Sequence, residues 1–360
     1  MAEATIIIPT YNRPNYLQRV LDYYHKYGKD FDIIVADSSS KENKKLNKEI
    51  ILSFPSLNIQ YIDKYSEEIS SHRKFADMVN YVKEKYCLFC ADDDFVTPNG
   101  IKDSIDFLEK NPDFTVVHGC YITFWLKTEK ERGSQFFWET RYLNQSITFP
   151  DPKDRLIRHL SQYSQPTTYG VHRTDFLKMI YKELLNSETD LVVFGEMLPS
   201  MLDLIYGKMK CLNILYMARQ ASFQYLGREA AFPRSHEVIT TRSLMNEGKH
   251  KEAYTRFRDC LAAHLTKKSQ LDIEKSKKLV DNAMFVYMRF DYKHVLTAKI
   301  KYILDSLHIP DWIYKKIRLL HKKLVLLGQK KDILSILPDD IPFKFHDDFN
   351  KIRSQVISYK

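Results

Sequence analysis

Cysteine is sparse and odd in number, five in 360 residues, and no two pairs share the spacing of a metal site. That argues against a disulfide framework, structural zinc or redox use. Buried thiols are the expectation, Cys87 and Cys90 of the lone CxxC included. No apolar run is long enough to span a bilayer. The N-terminus carries Glu3 and enters Ile6-Ile7-Ile8 before Pro9, which reads as a first strand rather than an export signal. A reducing, cytoplasmic setting fits these absences. There is also no glycine-rich phosphate loop and no internal repeat, which removes P-loop and solenoid architectures.

What is present is ordinary in bulk and uneven in detail. Hydrophobic residues make up 44% and charged residues 28%, as in a globular protein, and the length admits one large core or two smaller ones. The formal charge of +9 is concentrated late. Residues 241–360 hold 25 Lys/Arg against 14 Asp/Glu, an excess of eleven, which leaves residues 1–240 near −2. Such a basic region can attract an anionic membrane, a polyanionic acceptor or nucleic acid.

Periodicity gives an α/β order. Thr5–Pro9 reads as a strand, followed after Pro14 by a helix through Leu17, Val20, Leu21 and Tyr24. Phe31–Ala36 is a second buried strand and Asn58–Ile62 a third. Ser70 or Ser71 caps a helix whose apolar face carries Phe75, Met78 and Val79. Tyr86–Cys90 is a fourth strand. This repetition predicts a mostly parallel sheet flanked by helices. Further on, Thr115–Phe124 and Cys211–Met217 read as strands, Thr168–His172 as another, and residues 127–150 as an insertion facing a ligand. Residues 222–240 read as a mobile segment, and the chain from 241 onward as mainly helical. The expected division is a catalytic domain over 1–240 and a basic helical domain over 241–360.

The strongest chemical signal is Asp92-Asp93-Asp94, directly after the apolar strand. Three adjacent carboxylates at the mouth of a buried strand repel one another and lose hydration, unless they are solvated, hydrogen-bonded or holding a cation. The ends of strands in open α/β sheets are also where ligands bind. The run therefore points to a hard-metal site for Mg²⁺ or Mn²⁺ shared with phosphate oxygens, an acidic surface turn being the rival. Pro9-Thr10-Tyr11-Asn12-Arg13 follows the first strand, where Tyr11 can pack on a base and Arg13 can approach phosphate. Asp37 at the second strand end can accept a base N–H or ribose hydroxyl, or can instead close an Asx-turn with the serines after it. Arg73 and Lys74 can neutralise phosphate or stand as solvated helix charges.

Taken in order, IIIPTYNRPNYLQRVL, IIVADSSS, CADDDF and the later FGEMLP resemble the inverting family 2 glycosyltransferases with a GT-A fold, over roughly residues 4–225. The resemblance implies a GT-A-like nucleotide-sugar domain that uses Mg²⁺ or Mn²⁺. It assigns Asp37 to the nucleoside, although Ala36 stands where many members carry another Asp. The DxD element maps to Asp92 and Asp94, with Asp94 on the metal, Asp92 on ribose or a metal-bound water, and Asp93 supporting the loop. Glu196 becomes the general base, in a strand-to-helix junction where many members have a second acid and this chain has Met197.

Around that centre, the donor contacts implied are Pro9, Thr10, Tyr11, Arg13, Asp37, Arg73, Asp92 and Asp93. Arg219, Gln220 and Arg228 are candidates for phosphate or acceptor, and His236 for the metal, while His172 reads as structural. The expected reaction moves a sugar from a nucleotide diphosphate, UDP-linked by expectation, to a hydroxyl of a glycan or lipid-linked glycan in surface-polysaccharide synthesis. A nucleotidyltransferase or phosphohydrolase is the rival enzyme. A noncatalytic carbohydrate- or nucleic-acid-binding protein is the rival class, though no aromatic–basic recognition motif supports nucleic acid. Ile313, Ile317, Leu320, Leu324 and Leu327 form an apolar stripe flanked by Lys315, Lys316, Lys322 and Lys323, suited to peripheral contact with an anionic membrane or to plain packing.

Overall fold

The computed structural model describes residues 4–129, 133–142, 146–161, 167–221, 250–287 and 345–359. Its N-terminal half repeats strand and helix: β1 (Ala4–Thr10), α1 (Pro14–Tyr27), β2 (Asp32–Asp37), α2 (Lys41–Leu52), β3 (Ile59–Ile62), α3 (Ser71–Met78) and β4 (Tyr86–Phe89). Local chemistry sets the boundaries. Pro14 opens α1, where its missing N–H costs nothing, and Ser40 and Ser70 accept backbone N–H groups to cap α2 and α3.

After the acidic turn come β5 (Phe95–Val96), α4 (Pro98–Lys110), β6 (Phe114–Glu129), β7 (Gly133–Tyr142), α5 (Pro152–Ser161) and β8 (Val171–Arg173). Next are α6 (Thr174–Asn186), α7 (Leu191–Phe194), α8 (Met197–Tyr206) and β9 (Lys208–Gln220). Gly100 in α4 is required by close approach: a Cβ there would meet Thr97 Oγ1 at 2.5 Å and the Tyr216 Cα at 3.3 Å.

One sheet of nine strands organises the molecule, in the order β3-β2-β1-β4-β8-β6-β9-β5, with β7 added on β6. The expected α/β architecture holds. Its first four strands are parallel, and the β8, β5 and β7 pairings are antiparallel, so the sheet as a whole is mixed. Register aligns Thr10 with Asp37, and the Cys90 N–H donates to the Ile7 carbonyl. The carboxyl ends of β1, β2 and β4 therefore open on the same edge.

Apolar cores cover both faces of the sheet. One joins Leu17, Val20 and Tyr24 of α1 to Ile101 and Ile105 of α4, and the other joins α3, α6 and α8. Described helices of the C-terminal part complete them. Phe257 and Leu261 of the Lys251–Lys268 helix enter the second core, Phe257 stacking on Phe194 at 4.3 Å. Ile352 and Val356 of the His346–Ser358 helix enter the first. The described helices beyond residue 240 therefore share the cores of the sheet.

Three local expectations are corrected. The strand-to-helix junction expected at Glu196 is a break between two helices, because Leu191–Phe194 forms a short helix that draws Phe194 into the helical core. Thr168–His172 splits into a 3-10 turn, Thr167–Tyr169, and the strand β8. Much of 127–150 is a β6–β7 hairpin whose Phe136 and Trp138 meet Phe349 edge-on, which gives these aromatics a packing role in place of a ligand-facing one. Arg228, His236, the segment 222–240 and the stripe 313–327 lie outside the described residues. Among the described residues no helix is long and apolar enough to cross a membrane.

Candidate active site

The acidic run forms a tight turn beyond β4, closed by the Asp94 N–H donating to the Ala91 carbonyl at 3.1 Å. Asp92 and Asp94 are buried, with relative exposures of 0% and 2%. Asp92 Oδ2 accepts from the Thr10 hydroxyl at 2.8 Å, and its Oδ1 lies 2.9 Å from Arg13 Nη2. Asp93 pairs with Arg13 Nη1 at 2.7 Å. Asp94 Oδ1 accepts the Gln220 N–H at 2.9 Å, and Oδ2 lies 3.3 Å from Arg219 Nε. One guanidinium thus sits at each side of the carboxylate pair.

Those cations compensate burial only in part. Desolvation pushes both Asp92 and Asp94 up to about 7, with the Asp93 charge adding to the rise; Arg13 opposes it at Asp92 and Arg219 at Asp94. Buried, hydration-starved carboxylate oxygens are the donor type a hard divalent cation takes, so this pair fits Mg²⁺ or Mn²⁺.

Glu196 is the residue that caps α8, in the break between α7 and α8 rather than after a strand. Solvent reaches the side chain, yet surrounding atoms crowd it. Lost hydration raises its carboxyl above the ordinary range, and Arg219 offsets part of that rise. The Arg219 guanidinium also stands 4.7 Å over the Tyr169 ring. The Tyr169 phenol, raised mainly by burial, also feels the charges of Arg219, Asp94, Glu196 and Asp93. The structure therefore brings Glu196 and the acidic turn together through Arg219 and Tyr169.

The remaining candidates divide. Thr10 and Arg13 hold the acidic turn, Tyr11 is half-buried on the adjoining loop, and Pro9 pairs with Ala36 in the sheet. Gln220 is engaged twice, through its N–H to Asp94 and through Oε1, which accepts from Arg19 Nη2 at 2.6 Å. Arg73 is exposed on the first turn of α3.

Asp37 has 0% exposure, and its carboxylate accepts from the Ser39 N–H, the Asn47 amide and the Tyr61 hydroxyl, each at 2.7 Å. That oxygen pair closes the β2–α2 turn, as in the Asx-turn alternative. His172 meets the structural expectation: it is buried, with Nε2 3.0 Å from the Thr167 carbonyl and Nδ1 3.3 Å from Asp203.

Arg19 and Asn12 escaped the sequence-based assignment of side-chain roles, and Lys74 was read there only as a phosphate neutraliser or a solvated charge. Lys74 is buried, and its Nζ donates to the Thr10 carbonyl at 3.2 Å and to Ser38 Oγ at 2.8 Å. Burial pulls it down to about 8, against the attraction of Asp92 and Asp37. Its spacing of four from Met78 put it on the apolar stripe of α3, a usable signal. Arg19 is 4% exposed, donates to the Asp93 carbonyl at 2.9 Å, and lies 4.9 Å over Tyr16 and 5.1 Å over Phe95. Asn12 takes a positive φ of 52°, and its side-chain oxygen accepts the Ser40 N–H, joining the β1 and β2 loops.

Residues 5–168 match the sequence model of the glycosyl transferase family 2. This N-terminal segment is thus similar to the glycosyltransferase domains of that family. Its α/β order and strand-end acidic turn agree with the GT-A-like arrangement expected. An uncharacterized glycosyltransferase of Rickettsia bellii (strain RML369-C) is 29% identical over 119 residues, a match spanning 32% of this chain and 17% of that relative. Among solved structures, S. aureus TarS 1–349 in complex with UDP-GlcNAc aligns at 14% identity over 81% of this chain and 73% of that one, with a TM-score of 0.48. The mannosyltransferase PcManGT of Pyrobaculum calidifontis, in complex with GDP-Man and Mn²⁺, aligns at 11% identity over 99% of this chain and 85% of that one, with a TM-score of 0.42.

Proposed function

We propose that the protein is an inverting glycosyltransferase that moves a sugar from a nucleotide diphosphate, UDP-linked by preference, to an acceptor hydroxyl. One observation carries the reading: a crowded, basic carboxylate, Glu196, shares the Arg219 guanidinium with the buried Asp94 of the acidic turn, and both carboxylates act on Tyr169. A base on one side and a cation-binding, phosphate-facing centre on the other is what direct displacement at an anomeric carbon requires.

In this mechanism Asp94, with Asp92 beside it, holds Mg²⁺ or Mn²⁺. When bound, the ion neutralises charge developing on the departing nucleoside diphosphate. Arg13 and Arg219, freed from the carboxylates that they now neutralise, turn toward the phosphates. Lys74 supports the Thr10 loop with its positive charge. A carboxylate oxygen of Glu196 takes the proton of the acceptor hydroxyl as that oxygen attacks from the face opposite the leaving group, which inverts the centre. A raised pKa makes Glu196 a stronger base at neutral pH than an ordinary glutamate.

The acceptor class proposed is a glycan or lipid-linked glycan of surface-polysaccharide assembly, met at the cytoplasmic membrane face. The support is the excess of eleven positive charges in residues 241–360. Pelleting with anionic but not neutral vesicles, weakened by salt, is the expected result for that placement.

The function is tested by incubating the chain with a panel of nucleotide sugars and acceptors, with and without Mn²⁺. Release of a nucleoside diphosphate with a new glycoside supports transfer, whereas pyrophosphate or a nucleoside monophosphate supports the rival chemistries. Glu196→Gln should keep donor binding and lose transfer. Wild-type turnover in that variant would remove Glu196 from the role of base.

A further inference from the structure

A second cluster of ligand-type side chains lies away from the acidic turn. Glu183 on α6 faces Cys260 and His264 on the Lys251–Lys268 helix, and their oxygen, sulfur and nitrogen atoms all lie within 4.8 Å of one another. Cys260 and His264 are four residues apart, so one helix face presents both. The edges of a tetrahedral zinc site with such ligands are about 3.3–3.8 Å, given metal bonds of about 2.0–2.3 Å, so small rotamer changes close the remaining gap. His264 Nε2 is already 3.2 Å from Glu183 Oε2.

The other imidazole nitrogen has its own partner. Tyr206, the last residue of α8, places its hydroxyl 2.6 Å from His264 Nδ1. A metal-ligating histidine needs such a group on its second nitrogen, to fix the ring and leave the first nitrogen's lone pair free. His264 is 4% exposed, and Cys260 and Glu183 are half-buried, so water competes weakly for the position.

We propose that Glu183, Cys260 and His264 bind one Zn²⁺, with a water in the fourth position. The mixed oxygen, nitrogen and sulfur set suits zinc better than the hard cations expected at Asp92 and Asp94. Binding balances as follows. The Cys260 thiol loses one proton to solvent and bonds as thiolate. His264 moves its ring proton from Nε2 to Nδ1, where it donates to the Tyr206 oxygen. Two negative ligands then match the ion's charge. Cysteine spacing pointed away from zinc because the third ligand comes from α6, far off in sequence. The ion would pin the Lys251–Lys268 helix to α6 and to the end of α8, the helix whose other end carries Glu196.

The test uses the full chain, stripped with chelator and titrated with Co²⁺ as an optical reporter. The expected result is a thiolate-to-cobalt band in the near ultraviolet, saturating at one equivalent, lost on adding Zn²⁺, with one proton released. Cys260→Ser should abolish the band with the far-ultraviolet circular dichroism unchanged, and Tyr206→Phe should weaken binding by about 10–100-fold. Asp94→Asn should leave the band intact, separating this site from the acidic turn. No thiolate band, or an undiminished one in folded Cys260→Ser, would overturn the proposal.

Discussion

Arg219 Nε lies 3.3 Å from Asp94 Oδ2 across 125 residues of chain, and the same guanidinium lowers the pKa of Glu196. A single side chain thus opposes the effect of burial on both halves of the site. Replacing Arg219 with Ala should lift the Glu196 pKa further and move the acid limb of the kcat/KM profile to higher pH, because the base must be deprotonated to act. Arg219→Lys keeps the charge and should return part of the shift. An acid limb that stays in place in both variants would separate Arg219 from Glu196.

Asp94→Asn should lower metal-dependent turnover by two to three decades, corresponding to about 3–4 kcal/mol at the transition state. Asp92→Asn should act more on donor KM, since Asp92 is tied to Thr10 and Arg13 on the donor side of the turn. Thermal melts with and without Mn²⁺ give a second readout: stabilisation by the ion should disappear in Asp94→Asn. Full Mn²⁺ stabilisation in that variant would rule out Asp94 as the ligand.

How much of this was legible in the sequence depends on how far apart the partners lie. The alternation of strands and helices through residue 90 is local, and Asp92 and Asp94 stood out because carboxylates follow a buried apolar strand. The role of Arg219 was only half legible: its place near the site could be named, but not its pairing with Asp94, which needs β5 to lie beside β9. The junction before Glu196 read as strand-to-helix because a short apolar run carries no period of its own. Packing of Phe194 on Phe257 decided for helix. The partners of Asp37 were hidden for the same reason, since two of its three donors, Asn47 and Tyr61, come from other elements.

Asp37 yields a prediction that sets stability against binding. In Asp37→Asn an amide would face the amide of Asn47 and the hydroxyl of Tyr61, leaving a buried donor opposite donors. Losing hydrogen bonds to a charged group costs about 1.5–3 kcal/mol, so the melting temperature should fall by several degrees. Donor KM for the folded fraction should stay within a small factor of wild type. The reverse pattern, an unchanged melt with a much weakened donor, would return Asp37 to the nucleoside.

His118 governs part of the response to acid. It is 1% exposed on β6, and its Nδ1 is 2.9 Å from the Gly119 carbonyl, so burial pulls its pKa to about 4, well below the ordinary 6.5. Between those values the unfolded chain binds more protons than the folded one, and stability falls as pH drops through that window. Asp92 and Asp94 act oppositely in the metal-free protein: raised to about 7, they take up protons in the folded state first, which favours the fold as pH falls from 7 toward 4. Urea midpoints measured from pH 7 to 4.5 should therefore separate in two variants. His118→Gln removes an acid-labile group and should flatten the decline, while Asp94→Asn removes an acid-favoured one and should steepen it. Parallel curves for both variants and the wild type would show that neither burial acts on stability as its geometry requires.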